Sequence, residues 1–191
     1  PSNLPSEKAS KVPVIGLISH MDTSPEISGA NVNPILHQNY RGGNIVLPND
    51  TTQVISVEKS PRLLDNIGST IITADGTTLL GADDKAGIAE IMTAIQTLVS
   101  RPEIKHGTIK ICFTPDEEVG KGADMFDIKR FGAIYAYTVD GEETGKINNE
   151  TWNANTAMIT FHGKNTHPGT AKGIMVNSLY ALAEFVSRFP D

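Results

Sequence analysis

Short apolar runs around one strongly periodic segment limit this chain to an α/β fold. Residues 12–19 form a near-continuous apolar run, as expected of a strand covered on both faces, and residues 108–114 and 133–139 are predicted to be two further buried strands. In residues 85–100 the apolar side chains recur at the spacing of an amphipathic helix. This alternation predicts a mostly parallel sheet covered by helices.

The pattern changes after Gly145, which predicts a domain boundary near residue 150. Residues 156–161 alternate polar and apolar side chains, which is typical of an antiparallel strand with one face in solvent. Residues 176–189 carry a helical apolar face. We therefore expect a first domain over residues 1–150, and only the first strand and helix of a second domain over residues 151–191. Because the chain does not begin with Met and stops just after a helical pattern, we expect an internal fragment of a longer protein.

The amino-acid composition argues against some classes of binding partner. The 191 residues include 16 basic and 22 acidic residues, which gives a formal charge of −6 and argues against nucleic acid or a membrane as a partner. No apolar run approaches the roughly 20 residues that a membrane span requires. Residues 1–8 lack the apolar stretch of a secretory signal, and the single cysteine, Cys112, cannot form an internal disulfide. These features predict a reducing, cytoplasmic location.

Side chains of the metal-binding type follow each of the three predicted strands. The first strand runs into residues 19–22 (SHMD), the second into 115–118 (PDEE) and the third into 140–143 (DGEE). A further acidic pair, Asp83 and Asp84, opens the periodic helix. Because ligands of open α/β sheets bind outside the carboxyl ends of the strands, we expect these groups to converge on one crevice.

A cation is close to required at such a crevice, because unpaired carboxylates repel one another by several kcal/mol at low effective dielectric. One imidazole with several carboxylates suits Zn²⁺, with Mn²⁺ or Co²⁺ as alternatives. The carboxylates outnumber the positions of one tetrahedral ion, which favours two ions that share a bridging group. A carboxylate that binds neither ion could act as a general base.

Each motif also has a simpler interpretation. His20 and Asp22 could be a polar pair at a strand end, residues 83–84 a helix cap, residues 117–118 a solvated loop edge and residues 140–141 a turn. The convergence of all four at predicted strand or helix boundaries favours the metal site.

Several motifs closely resemble the peptidase T family, the aminotripeptidase branch of the two-zinc aminopeptidase, carboxypeptidase and aminoacylase superfamily. They are residues 19–25 (SHMDTSP), 80–87 (LGADDKAG), 113–120 (FTPDEEVG), 137–141 (YTVDG) and 167–173 (HPGTAKG). The match runs in order through nearly the whole chain. It implies an incomplete zinc-peptidase catalytic domain over residues 1–150, followed by the start of an α+β lid or dimerisation domain over residues 151–191.

The resemblance implies a role for each matched side chain. The metal ligands would be His20 on one zinc ion, Asp83 bridging both, Glu118 on the second and Asp140 on the same ion as His20. A cis peptide bond would join Asp83 to Asp84. The catalytic residues would be Asp22, which hydrogen-bonds the His20 ring, and Glu117, the general base. His167 would hold the substrate carbonyl oxygen or carboxylate, often across a homodimer; without the resemblance it would be a loop histidine made rigid by Pro168.

The implied activity is release of the N-terminal residue of tripeptides through a hydroxide that bridges two zinc ions. Another hydrolase of the superfamily (a dipeptidase, carboxypeptidase or N-acyl amino acid deacylase) is the near alternative, and a non-catalytic metal-binding module is the alternative from a different class. The family's remaining zinc ligand, a histidine near the C-terminus, is absent here, so we expect this polypeptide alone to be weakly active or inactive.

Overall fold

The computed structural model describes residues 1–141, 143–150 and 153–190. The chain divides into two compact units, Pro1–Ile147 and Asn148–Asp191. Within the first unit the described helices and strands are α1 (Ser6–Ala9), β1 (Ile15–His20), β2 (Ile35–His37), β3 (Ile45–Val46), β4 (Val54–Ile55), a 3-10 helix (Pro61–Asn66), β5 (Ile71–Thr73), α2 (Ala82–Ser100), β6 (Ile109–Thr114), α3 (Ile128–Phe131) and β7 (Tyr135–Thr138).

The centre of the first unit is a parallel sheet of three strands in the order β6-β1-β7. Both neighbours run parallel to β1, with Ile15 opposite Ile109 of β6 and opposite Tyr135 of β7. The three strands predicted from the sequence therefore form one parallel sheet, as the α/β prediction requires. Their carboxyl ends lie at the same edge.

Burial differs from the expectation at the sheet margins. β1 is buried or half-buried along its length, whereas all four residues of β7 are exposed and β6 is mixed. Neither β6 nor β7 has a buried residue, so the prediction of buried strands over residues 108–114 and 133–139 is wrong in its burial, although both strands are present. The physical reason is position: β1 is the central strand and packs against α2, while β7 lies at the edge of the sheet.

Helix α2 carries the predicted amphipathic pattern, with Ile91 fully buried. It follows Gly81, whose left-handed backbone (φ 74°) suits glycine, and it ends before Pro102. Asp83 and Asp84, in its first turn, have non-helical dihedral angles and are joined by a cis peptide bond. Among the described residues, no helix has both the length and the apolar character to cross a membrane.

A buried carboxylate stabilises the turn that follows β5. Asp75 lies two positions after the last residue of β5, and its Oδ1 accepts hydrogen bonds from the backbone N–H (2.9 Å) and hydroxyl (2.7 Å) of Thr77. Its Oδ2 accepts from the side-chain amides of Asn33 (3.2 Å) and Asn49 (2.8 Å). These bonds lower the pKa of Asp75 to about 2.

The second unit holds a short 3-10 helix (Pro168–Thr170) and α4 (Ser178–Val186), which begins where the Asn177 side chain accepts from the N–H of Leu179. The helix predicted over residues 176–189 is thus present in a shorter form. The strand predicted over residues 156–161 is not formed. A strand needs a hydrogen-bonded neighbour, and the described part of this unit offers only one antiparallel bridge, between Lys164 and Val176.

Candidate metal centre

The parallel register delivers the predicted ligands to one edge of the sheet. His20 is the last residue of β1 and lies opposite Thr114, the last residue of β6. β7 ends at Thr138, and the N–H of Val139 still donates to the Ile18 carbonyl (2.8 Å), which brings Asp140 to the same edge. The first turn of α2 supplies Asp83.

His20 lies at the centre of these side chains and is 3% exposed. Its Nε2 is 2.9 Å from Asp83 Oδ1, 3.8 Å from Glu117 Oε2 and 3.9 Å from Asp140 Oδ2. One ligand atom from each of His20, Asp83 and Glu118 lies within 4.8 Å of the others. All five residues belong to the first unit, although they come from four separate parts of the chain.

The cluster has an excess of negative charge. Burial lowers the pKa of His20, but the hydrogen bond to Asp83 and the charges of Asp140, Asp83 and Asp84 outweigh it, so the pKa is raised. Burial, followed by the charges of Asp84 and Asp83, raises the pKa of Asp140. Among the described residues, His20 is the only basic side chain within 4 Å of a carboxylate oxygen of Asp83, Glu117 or Asp140.

A divalent cation fits this donor set. An imidazole nitrogen and several carboxylate oxygens are ligands that Zn²⁺ accepts, and the high share of carboxylates also suits Mn²⁺. The cation would offset the repulsion that raises the pKa of Asp140. The residues present therefore match the chemistry of a metal centre.

Asp22 connects the end of β1, which carries His20, with the loop after β6, which carries Glu117 and Glu118. Its Oδ1 accepts from the backbone N–H of Glu117 (3.2 Å) and its Oδ2 from that of Glu118 (3.1 Å). Burial raises the pKa of Asp22, but these two backbone hydrogen bonds lower it by more, so that the net shift is downward. His20 Nδ1 lies closer to the backbone carbonyl of Asp22 (3.1 Å) than to its carboxylate (3.4 Å). The carboxylate thus mainly holds the loop after β6, while the carbonyl contacts the imidazole ring.

Sequence reasoning missed the role of the residues beneath the ligands. Asp84 was expected as one of the converging acidic groups, as a helix cap or as the partner of Asp83 in a cis bond, but its hydrogen bond to Ser19 of β1 in the protein interior was not expected. The alternation of side chains along a strand was an available signal, because it turns Ser19 away from the side that His20 occupies. The distance of 65 positions between Ser19 and Asp84 hid the contact.

Two predicted positions are not among the residues described above. His167 belongs to the second unit, where its Nδ1 accepts from the backbone N–H of Gly169 (3.1 Å) at the start of the 3-10 helix. Glu142, from the third acidic motif, lies outside the described residues.

Comparisons of this chain with protein families, curated sequences and solved structures all match peptidases. The profile of peptidase family M20/M25/M40 matches residues 73–187. Proteins named peptidase T from Clostridium acetobutylicum and Geobacillus kaustophilus are 56% and 54% identical to the chain, over 98% and 99% of its length. The chain spans 46% of each of these relatives, which is less than half their length. A crystal structure of a tripeptidase from Staphylococcus aureus subsp. aureus Mu50 matches with a TM-score of 0.57 and 26% identity, covering 93% of this chain and 39% of that one.

Proposed function

The chain belongs to peptidase family M20/M25/M40, and from this premise we propose that it carries metal-binding and catalytic side chains of an aminopeptidase that releases the N-terminal residue of tripeptides. The observation that carries the proposal is the cluster around His20, in which an imidazole and several carboxylates share one edge of a parallel sheet. The Staphylococcus aureus structure is described as that of a tripeptidase, which supports the tripeptide substrate.

The residues that would hold two zinc ions are His20, Asp83, Glu118 and Asp140, of which Asp83 would be shared by both ions. Mn²⁺ and Co²⁺ are alternatives, because carboxylate-rich sites also suit these ions. When bound, the ions would supply Lewis acidity, polarising the scissile carbonyl and lowering the pKa of a water molecule. His20 must bind through a neutral ring nitrogen, and its Nε2 is the nitrogen that faces the carboxylates.

Glu117 is the proposed general base. Its carboxylate is 53% exposed and reaches to within 3.8 Å of His20 Nε2, so it lies beside the ligands and still faces the space that a peptide would enter. From this position it could take a proton from the attacking water and return it to the leaving amine. The neighbouring Glu118 would bind the metal, and Asp22 would hold both residues by their backbone N–H groups.

The proposed contribution of the second unit is a substrate-binding side chain, His167. Residues 151–191 would form part of a lid or dimerisation domain, and His167 would hold the substrate carbonyl oxygen or carboxylate, where an imidazole can stabilise developing negative charge. A homodimer through this domain and a cytoplasmic location belong to the same proposal. The charge of −6 and the single cysteine are consistent with a soluble, reduced enzyme that has neither nucleic acid nor a membrane as partner.

The test uses a chimera in which this chain replaces the matching segment of the Clostridium acetobutylicum peptidase T, assayed beside the unaltered relative. With Zn²⁺, the chimera should release the N-terminal residue of a free tripeptide and leave the N-acetylated tripeptide intact. Cleavage of the acetylated peptide would instead indicate a carboxypeptidase or deacylase. A chimera that binds zinc but cleaves neither peptide would favour a non-catalytic metal-binding module. The 191-residue chain alone should show weak activity or none.

A further inference from the structure

We propose that Ser19, Asp84 and Gly87 are positioning residues that set the spacing between the metal ligands, an inference that rests on the proposed function. None of the three is among the proposed ligands or the base. Together they form a buried cluster directly beneath His20 and Asp83.

The cluster joins the three elements that supply ligands. Ser19 precedes His20 on β1, Asp84 follows Asp83 in the first turn of α2, and Gly87 lies in the same helix against the carbonyl of Val139, which precedes Asp140. The immediate neighbours of three ligands therefore meet at one point. A shift at this point moves the ligands relative to one another.

Asp84 is the centre of the cluster and is 4% exposed. Its Oδ2 accepts from the Ser19 hydroxyl (2.5 Å) and from the backbone N–H of His20 (3.1 Å), and its Oδ1 accepts from the N–H of Gly87 (3.2 Å). The Asp84 carbonyl oxygen lies 3.0 Å from the same hydroxyl of Ser19, which is 2% exposed and shares its one hydrogen between the two acceptors. Both oxygens of this carboxylate are thus engaged by the protein, and they link β1 to α2.

Gly87 permits the approach of α2 to the strand ends. A Cβ at this position would lie 1.9 Å from the Val139 carbonyl oxygen, 2.5 Å from Asp84 Oδ1 and 3.0 Å from Ser19 Oγ. Any larger residue would separate the helix from the end of β7. The absence of a side chain here is therefore part of how Asp140 and Asp83 come close to His20.

Asp84 could alternatively be a ligand itself, because His20, Asp84 and Asp140 offer ligand atoms within 4.8 Å of one another. Mutation of Ser19 distinguishes the two possible roles of Asp84. A directly coordinating Asp84 would keep its metal when the serine hydroxyl is removed, whereas a carboxylate that positions the ligands depends on that hydroxyl.

The experiment titrates the 191-residue chain with Co²⁺, whose visible absorption reports coordination geometry, and follows the fold by far-ultraviolet circular dichroism. The variants are Ser19→Ala, Ser19→Thr and Asp84→Asn. Asparagine preserves the shape but has one acceptor oxygen, so it cannot serve donors on both sides of the group. Matched controls are Thr73→Val and Asp75→Asn, which alter a buried hydroxyl and a buried hydrogen-bonded carboxylate away from the ligands.

Ser19→Ala and Asp84→Asn should weaken Co²⁺ binding on the order of tenfold and change the visible spectrum. Ser19→Thr, which keeps a hydroxyl, should have the affinity and the spectrum of the parent. The two controls should also bind Co²⁺ as the parent does. Parent-like affinity and spectrum in Ser19→Ala overturn the inference, and this variant decides the matter if Asp84→Asn does not fold. Failure of the parent to bind Co²⁺ overturns the metal site and this inference together. Because peptide cleavage is not a readout here, an inactive chimera would contradict only the proposed activity.

Discussion

The carboxylate of Asp22 holds Glu118 by its backbone, with Oδ2 3.1 Å from the Glu118 nitrogen across 96 positions of sequence. The same carboxylate accepts from the N–H of Glu117, and the carbonyl of Asp22 contacts the His20 ring. The imidazole at the end of β1 and the two glutamates after β6 are thereby tied to one residue. Asp22 thus connects the proposed base and two proposed ligands, through its side chain on one side and its backbone carbonyl on the other.

Replacing Asp22 by alanine should disorder the loop that carries Glu117 and Glu118, because two backbone N–H groups lose their acceptor. We expect zinc affinity and tripeptide cleavage by the chimera each to fall by about 10- to 100-fold. Calorimetric zinc titration and initial rates measure the two effects. Asp127→Ala is the matched control, since Asp127 also accepts from a backbone N–H, that of Arg130, at α3. Equal losses in both variants would remove the special role of Asp22.

Mutation of the two adjacent glutamates, Glu117 and Glu118, should affect different properties of the enzyme. Glu117→Gln should preserve zinc affinity and reduce the turnover of the chimera by about 10²- to 10⁴-fold, because the amide cannot accept the proton of the attacking water. Glu118→Gln should weaken zinc binding itself. Turnover that survives Glu117→Gln would refute the assignment of the base, and a zinc affinity that survives Glu118→Gln would refute the assignment of the ligand.

A methyl group at Gly87 should destabilise the chain. The Cβ would meet the backbone oxygen of Val139 at 1.9 Å, and Val139 is held beside β1 because its N–H donates to the Ile18 carbonyl (2.8 Å). We expect Gly87→Ala to lower the free energy of unfolding by about 1–3 kcal/mol, measured by urea titration. Ala89→Ser, an exposed change on the same helix, is the control. An unfolding free energy equal to that of the parent would show that the close approach is not required.

Acid should destabilise the chain partly through Asp75. Its folded-state pKa of about 2 lies below the ordinary value of 3.8, so its contribution to stability is present in full above about pH 4 and is lost as the pH falls from there towards 2. Asp75→Asn should remove this part of the acid dependence. The measurement is the midpoint of thermal unfolding from pH 5 to pH 2. Parallel curves for parent and variant would contradict the account.

Local pattern was sufficient to predict much of this structure. The apolar runs that become β1, β6 and β7 and the periodic segment of α2 identify their own structures, and the parallel order then places His20, Glu117 and Asp140 at one edge. Strand alternation gives the direction of the Ser19 side chain, but not its hydrogen bond to Asp84, because the partner belongs to a remote segment of the chain. Residues 156–161 show a local pattern that predicted too much. Their alternation favours a strand, but the described part of the second unit offers no neighbouring strand with which they could pair.

The most direct test of the metal centre is a zinc titration of the 191-residue chain followed by ¹⁵N nuclear magnetic resonance of its histidine rings. Zinc should shift the Nε2 resonance of His20 in a saturable manner, with release of protons because the carboxylates around the ring raise the pKa of His20. His37 and His106, which contact a threonine hydroxyl and a backbone carbonyl, should not respond. Zinc binding that leaves the His20 ring unchanged, or no binding at all, would contradict the account.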